Sequence, residues 1–482
     1  MHVRLDGVSG DDSPRAARAL RRTLTLGPLV FVMFFNVSGG AYSIESLVAA
    51  AGPALAIAML VAVPIVYSIP EALIVAELAS AVPEEGGYYA WVRRAFGERW
   101  AFQNGWWTWM YSLVDMAIYP VMFNQYLAYF VPGIPLPARW GVSLAVIWLS
   151  AWLNLRGVRR VGTVSVVAGA FVLGSFALLA LGAIPHATHS PWSSLGAAPP
   201  ATTPALAVAL SIALWNYVGW DNASTVEGEI VHATRSYPRA LARALPLVAA
   251  AYLVPVLAAL GATDWRDWRE GGWPDIARGA LEGRAGAVVA ILIAAGGMIS
   301  ALALFNALLM AYSRIPYVMA RDGLLPPRLA VTDRRGVPRT AIITSAVFYS
   351  IFALAPFAQL VVADVALYSA ALFLEFAALV RFRVRDPARR GAFRIPVGTW
   401  GVIALALAPV TVVLVVVASG VRDGDHAGPA LLGAAIAMAA GFPAYRAAVT
   451  ARSRRASAFD PSAADPHAGA RDPVPAPGAT ST

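Results

Sequence analysis

The sequence predicts an all-α integral membrane protein of about twelve transmembrane helices built on inverted repeats. Three observations predict it. The chain is 58% hydrophobic and only 13% charged, with a mean hydropathy of +0.62, whereas a soluble domain is about a quarter charged. About twelve segments carry the ~20 apolar residues that a bilayer span requires. The first and sixth of these segments break in their middle.

The spans are expected over residues 24–50, 54–82, 100–131, 140–155, 161–184, 204–229, 242–262, 286–312, 340–356, 360–380, 401–420 and 430–449. Arginine placement supports the count. All 37 basic residues are Arg, and with the N-terminus inside, 31 fall in inner loops or tails and six outside. That asymmetry predicts both termini cytoplasmic; the expected location of this multi-pass protein is the plasma membrane. The net charge of +9 signals no nucleic-acid partner, because the arginines sit in short loops and form no basic domain. Residues 1–23 read as a cytoplasmic tail, and 450–482, rich in Ala, Pro, Asp and Ser, as a disordered one. The first apolar segment is too long and too glycine-broken for a signal peptide, so it is read as retained. The inner loop "PEEGGYYAWVRRAFGERW" reads as an amphipathic segment lying under the bundle.

The first break is "VSGG", at Val37 to Gly40; the sixth lies in "WNYVGWDNAST", Trp215 to Thr225. Unwinding a helix in lipid leaves N–H and C=O groups unpaired at several kcal/mol each. Such a break survives only where it lines a protein cavity, and glycine lets a ligand approach the backbone closely. Breaks in matching places, five spans apart, point to a secondary transporter whose halves are residues 24–184 and 204–380. Glycine serving only close helix packing is the plainer alternative.

Enzyme chemistry finds little to build on. There is no Cys, and the six His (His2, His186, His189, His232, His426, His467) all fall in loops or tails. No cofactor and no metal site is expected.

Intramembrane carboxylates cost roughly 3 kcal/mol on insertion scales, so each needs a reason. Glu45 lies in the opening turn of the half-helix after the first break, where the helix dipole favours an anion. A resident Glu there repels a second anion and tilts the site toward cations. Asp115 sits mid-span in a stripe with Trp107, Tyr111 and Tyr119, spaced every four residues. Aromatic faces beside a carboxylate suit an ammonium group; an ordinary packing stripe is the alternative. Asp221 follows the sixth-span break and can cap the continuing half-helix. Glu71, Glu77, Glu227, Glu229 and Glu375 lie toward the arginine-rich side and read first as inner-gate ion pairs. Glu71 and Glu375 are also candidates for proton carriage.

Several stretches together resemble the amino acid–polyamine–organocation permeases, and most closely their polyamine uptake branch. They include "NVSGGAYSIE", "GYYAWVRRAFG", "DMAIYPVMF", "LWNYVGWDNASTVEGEI", "SRIPYVMARDGLLP" and "EFAALVRFRVRDPARRGAFRIPVGTWG", spread over nearly the whole chain. The resemblance implies a leucine-transporter-like fold of ten core helices, with the pair at 400–449 peripheral. It implies that Ser38 and Gly39 form a substrate-binding turn, that Trp215 is an outer gate and that Asp221 contacts substrate. The first turn departs from the usual Gly-Ser-Gly of amino-acid carriers, reading Val-Ser-Gly-Gly, and the fifth span carries no cation.

The expected function is import of polyamines, such as putrescine or spermidine, coupled to H+. Ammonium groups pair with Asp115, Asp221 and Glu45, and Tyr111, Tyr119, Trp215 and Tyr217 wall the pocket. Backbone groups at 38–40 and 217–219, including Gly39, Gly40 and Gly219, complete it. An amino-acid permease, as symporter or exchanger, is the alternative; a non-transporting nutrient sensor is a third.

Overall fold

The computed structural model describes residues 20–188, 190, 203–353, 357–388, 391–422 and 427–457. Most of both expected tails, and His2, His189, His426 and His467, lie outside the described residues.

Helix α1 (Leu26–Val37) stops at the expected break. Helix α2 (Ile44–Val63) resumes it and bends at Gly52 (φ 75°), just before Pro53. The first two turns of α2 therefore finish the first span, and the rest begins the second. A π-helical turn (Pro64–Ser68) and α3 (Ile69–Ala81) complete the second span. Helix α4 (Tyr88–Phe96) is the expected amphipathic segment. It buries Tyr88, Tyr89 and Trp91 and leaves Arg93 and Arg94 exposed.

The spans α5 (Glu98–Leu127), α6 (Leu136–Asn154) and α7 (Val158–Ala183) follow. Helix α8 (Thr203–Trp215) then breaks, and a 3-10 stretch (Asn222–Glu229) carries the chain onward. Beyond it come α9 (Ala233–Ala262), the short α10 (Trp273–Leu281), α11 (Gly283–Tyr312) and α12 (Arg314–Arg321). Helices α13 (Arg339–Phe352), α14 (Phe357–Arg385), α15 (Thr399–Arg422) and α16 (Ala427–Ser457) complete the chain.

Each expected span has a helical counterpart. Seven described helical runs are long and apolar enough by length and composition to cross a membrane. Helix α5 is equally long but buries Gln103, Asn104, Thr108, Ser112 and Asp115. Its inward face is polar because it serves the interior of the bundle, where it packs against α11 and α14. Leu407, Leu414, Leu432 and Ile436 stand exposed on α15 and α16, as a lipid-facing pair requires.

The two broken segments meet. Leu24 and Ile230 form a parallel bridge, with Leu24 N–H donating to the Glu229 carbonyl at 3.0 Å and Val231 N–H to the Leu24 carbonyl at 2.9 Å. Near the middle, Gly219 (φ 103°) lies so close to α1 that an added Cβ would stand 2.6 Å from the Asn36 carbonyl oxygen. Only glycine fits that approach with that backbone.

Candidate functional site

A cavity lies between the two breaks. Of the residues singled out by sequence, Gly39, Tyr111, Asp115, Tyr119, Trp215 and Gly219 line it. The Asp115 carboxylate is held from both sides. Its Oδ1 accepts from the Tyr119 hydroxyl at 2.6 Å and its Oδ2 from the Tyr312 hydroxyl at 2.9 Å. Trp107, the fourth member of the stripe, turns instead to α16, donating to the Met438 carbonyl at 3.1 Å. Four-residue spacing drifts around a helix of 3.6 residues per turn, so a stripe of four cannot all face one cavity.

The neighbouring wall formed by α14 supplies a residue that sequence reasoning missed. Asp364 of α14 is 3% exposed, lines the cavity and leaves Oδ1 without a hydrogen-bond partner. It lies within electrostatic reach of Asp115. Asn36, on the last turn of α1, also lines the cavity with both amide atoms unpartnered. The cavity lining contains two carboxylates and, among the described residues, no Arg, Lys or His. A buried carboxylate without a partner is costly, and a bound cation would supply one.

Other named residues turn elsewhere. Ser38 Oγ accepts from Gly40 N–H at 3.1 Å, and Gly40 packs on Val172. The Tyr217 hydroxyl donates to the Leu60 carbonyl at 2.8 Å. Asp221 holds the N-cap position of the 3-10 stretch, but its carboxylate faces Tyr368, 2.8 Å from that hydroxyl. The Tyr368 ring lines the cavity, and Asp221 sits behind it. The same hydroxyl is 2.7 Å from Glu71 Oε1. Glu375, two turns farther along α14, stands beside Asp221 and Asn104.

Glu45 belongs to a second chamber, lined also by Ser43, Gln125, Tyr126 and Glu270. Its Oε1 accepts from Gly271 N–H at 2.9 Å and from the Tyr126 hydroxyl at 3.3 Å, while Oε2 has no hydrogen-bond partner. Trp215 and Met122 line both chambers. Trp215 therefore stands between them, stacked on Tyr119 with ring centroids 6.4 Å apart.

The arginine-rich face is closed. Arg314 donates twice to Glu229 Oε1, at 2.9 and 2.7 Å, with both side chains under 5% exposed. Arg383 clasps Glu77 at 2.8 and 2.5 Å. On the surface, Asp322 accepts from Arg93 and from the Tyr89 hydroxyl. Of the five acids read as inner-gate ion pairs, Glu77 and Glu229 form them. Glu71 and Glu375 gather around Asp221 instead, and Glu227 has no hydrogen-bond partner for either oxygen. In the loop below, burial pushes the Glu85 carboxyl up to about 8, helped by Glu229 and opposed by Arg314 and Arg321.

The sequence profile of the amino acid permeases matches residues 29–440. The chain belongs to the amino acid permease family. Among relatives of this permease, the polyamine transporter PUT1 of Oryza sativa subsp. japonica is 36% identical over 418 residues, or 86% of this chain and 76% of the relative. The polyamine transporter RMV1 of Arabidopsis thaliana is 35% identical over 425 residues, or 86% of this chain and 85% of the relative. The crystal structure of MhsT in complex with L-phenylalanine matches with a TM-score of 0.58 at 15% identity, covering 83% of this permease and 99% of that chain. The leucine-transporter-like fold expected from sequence is thus the fold found. This permease is a multi-pass membrane transporter rather than an enzyme.

Proposed function

We propose that this permease imports polyamines or related small organic cations across the plasma membrane, driven by protons, with both termini cytoplasmic. One observation carries the substrate reading: the cavity between the breaks presents Asp115 and Asp364 and no basic side chain among its described lining. The names of the relatives point the same way. An ammonium group pairs with these acids, and Tyr111, Tyr119 and Trp215 offer ring faces to it. Glu45 greets the cation in the chamber beyond Trp215, and Trp215 acts as the gate between the two. Asp221 enters when Tyr368 moves. Ser38, Gly40 and Tyr217 shape the turns rather than touch substrate.

The halves 24–184 and 204–380 are read as the inverted repeats, with 400–449 peripheral. Rocking of the broken helices against the rest opens the arginine-rich face by parting Glu229 from Arg314. Glu71 and Glu375 are the candidates for carrying the coupling proton.

Uptake by reconstituted vesicles tests this reading. Labelled putrescine, spermidine and neutral amino acids are offered with and without an inward pH gradient. Amine uptake that rises with the gradient is expected. Uptake of amino acids alone returns the protein to amino-acid transport, and binding without flux to a sensor.

A further inference from the structure

We infer that Glu71, Asp221 and Tyr368 form a proton site, loaded in the state seen here, that ties the second helix break to the cavity. It rests on the reading of this permease as a proton-driven importer. The hydrogens around one oxygen decide it. The Tyr368 oxygen has three polar neighbours: Gly219 N–H at 2.9 Å, Glu71 Oε1 at 2.7 Å and Asp221 Oδ1 at 2.8 Å. Gly219 can only donate. A phenol has one hydrogen, and an ionised carboxylate only accepts. Tyr368 can therefore serve one of the two carboxylates. The other stands at hydrogen-bond distance from the same oxygen and must bring a hydrogen of its own. One of Glu71 and Asp221 is a carboxylic acid in this state.

The surroundings agree. Glu375 approaches from α14, and the phenols of Tyr67, Tyr88, Tyr111 and Tyr237 face the cluster from the π-helical turn, α4, α5 and α9. Among the described residues, no hydrogen bond or ion pair ties an Arg to Glu71, Asp221 or Glu375. With no fixed cation, a proton is the charge that lets these acids lie together.

The site also grips the break. Glu71 Oε1 accepts from Trp220 N–H at 3.1 Å, and Tyr368 holds Gly219 N–H. Loss of the proton sets two bare carboxylates against one phenol and loosens residues 219–220. The Tyr368 ring faces the cavity, so a proton arrives from cavity water and leaves to water at the arginine-rich face. Only O–H bonds form and break.

Counterflow of labelled putrescine into putrescine-loaded vesicles, without a pH gradient, tests the transport reading itself. Its absence from the wild type overturns that reading, whatever the proton site does. Where counterflow is present, Glu71→Gln, which copies the loaded acid, should keep it. The variant should lose the roughly tenfold accumulation that one proton and a gradient of about one pH unit support. Accumulation equal to wild type overturns the proposal. Infrared difference spectra give a second readout. The wild type should show a carboxylic-acid carbonyl band that is missing from Glu71→Gln and shifted in Tyr368→Phe, which keeps both acids but removes their shared partner. A band that Tyr368→Phe leaves in place overturns it even where Glu71→Gln does not fold.

Discussion

Asp115 makes the sharpest claim at the scale of single residues. Two phenols orient it toward the cavity, and its charge is what an ammonium would pair with. Asp115→Asn keeps the shape and removes the charge. A hydrogen bond to a charged group is worth about 1.5–3 kcal/mol, so the KM for polyamines should rise roughly tenfold to a hundredfold. Uptake kinetics measure this, with the yield of folded protein from membranes unchanged. Glu45→Gln should weaken uptake of dications more than that of neutral amino acids, and equal loss of both would remove its cation role. The two acids were legible to different degrees. Asp115 stands in an aromatic stripe on its own helix, so local spacing exposed it. Asp364 has a single aromatic at that spacing, Tyr368, and no run of them on both sides, so only the approach of α14 to α5 puts it in the cavity.

At the scale of elements, the breaks and the closed face make predictions. Gly219→Ala would force a Cβ to within 2.6 Å of the Asn36 carbonyl at φ 103°. Uptake should fall to background while circular dichroism shows the helical content retained. Glu229→Gln leaves Arg314 buried without its counter-charge. Breaking such a pair costs about 3–5 kcal/mol, so the unfolding temperature in detergent should drop. The closed face should also respond to pH. The Glu85 carboxyl is held up at about 8 in this state against an ordinary value of 4.5. The closed state therefore binds more protons than one that hydrates Glu85, and its advantage falls as pH rises through that window. The chain has no Cys, so a cysteine placed at the buried Ser224 is a clean reporter. Normalised to an exposed control cysteine, its labelling should be faster at about pH 8 than at about pH 6. Faster labelling at the lower pH would refute the sign.

At the scale of the whole molecule, arginine asymmetry predicts sidedness. Impermeant labels applied to intact cells should reach a cysteine in the loop 263–284 and miss one near the end of α16. The chain's own composition and order determined the membrane class, the spans, both breaks and the amphipathic α4. Hydropathy, glycine and proline act within one turn or one span, so those features are written locally. The tertiary structure alone decided how each helix is rotated about its axis. That rotation turns Trp107 away, places Glu45 beyond Trp215 and screens Asp221 behind Tyr368. It also brings Tyr368 to Glu71 across 297 residues of chain. No local pattern records such a meeting, because it depends on close packing between helices distant in sequence.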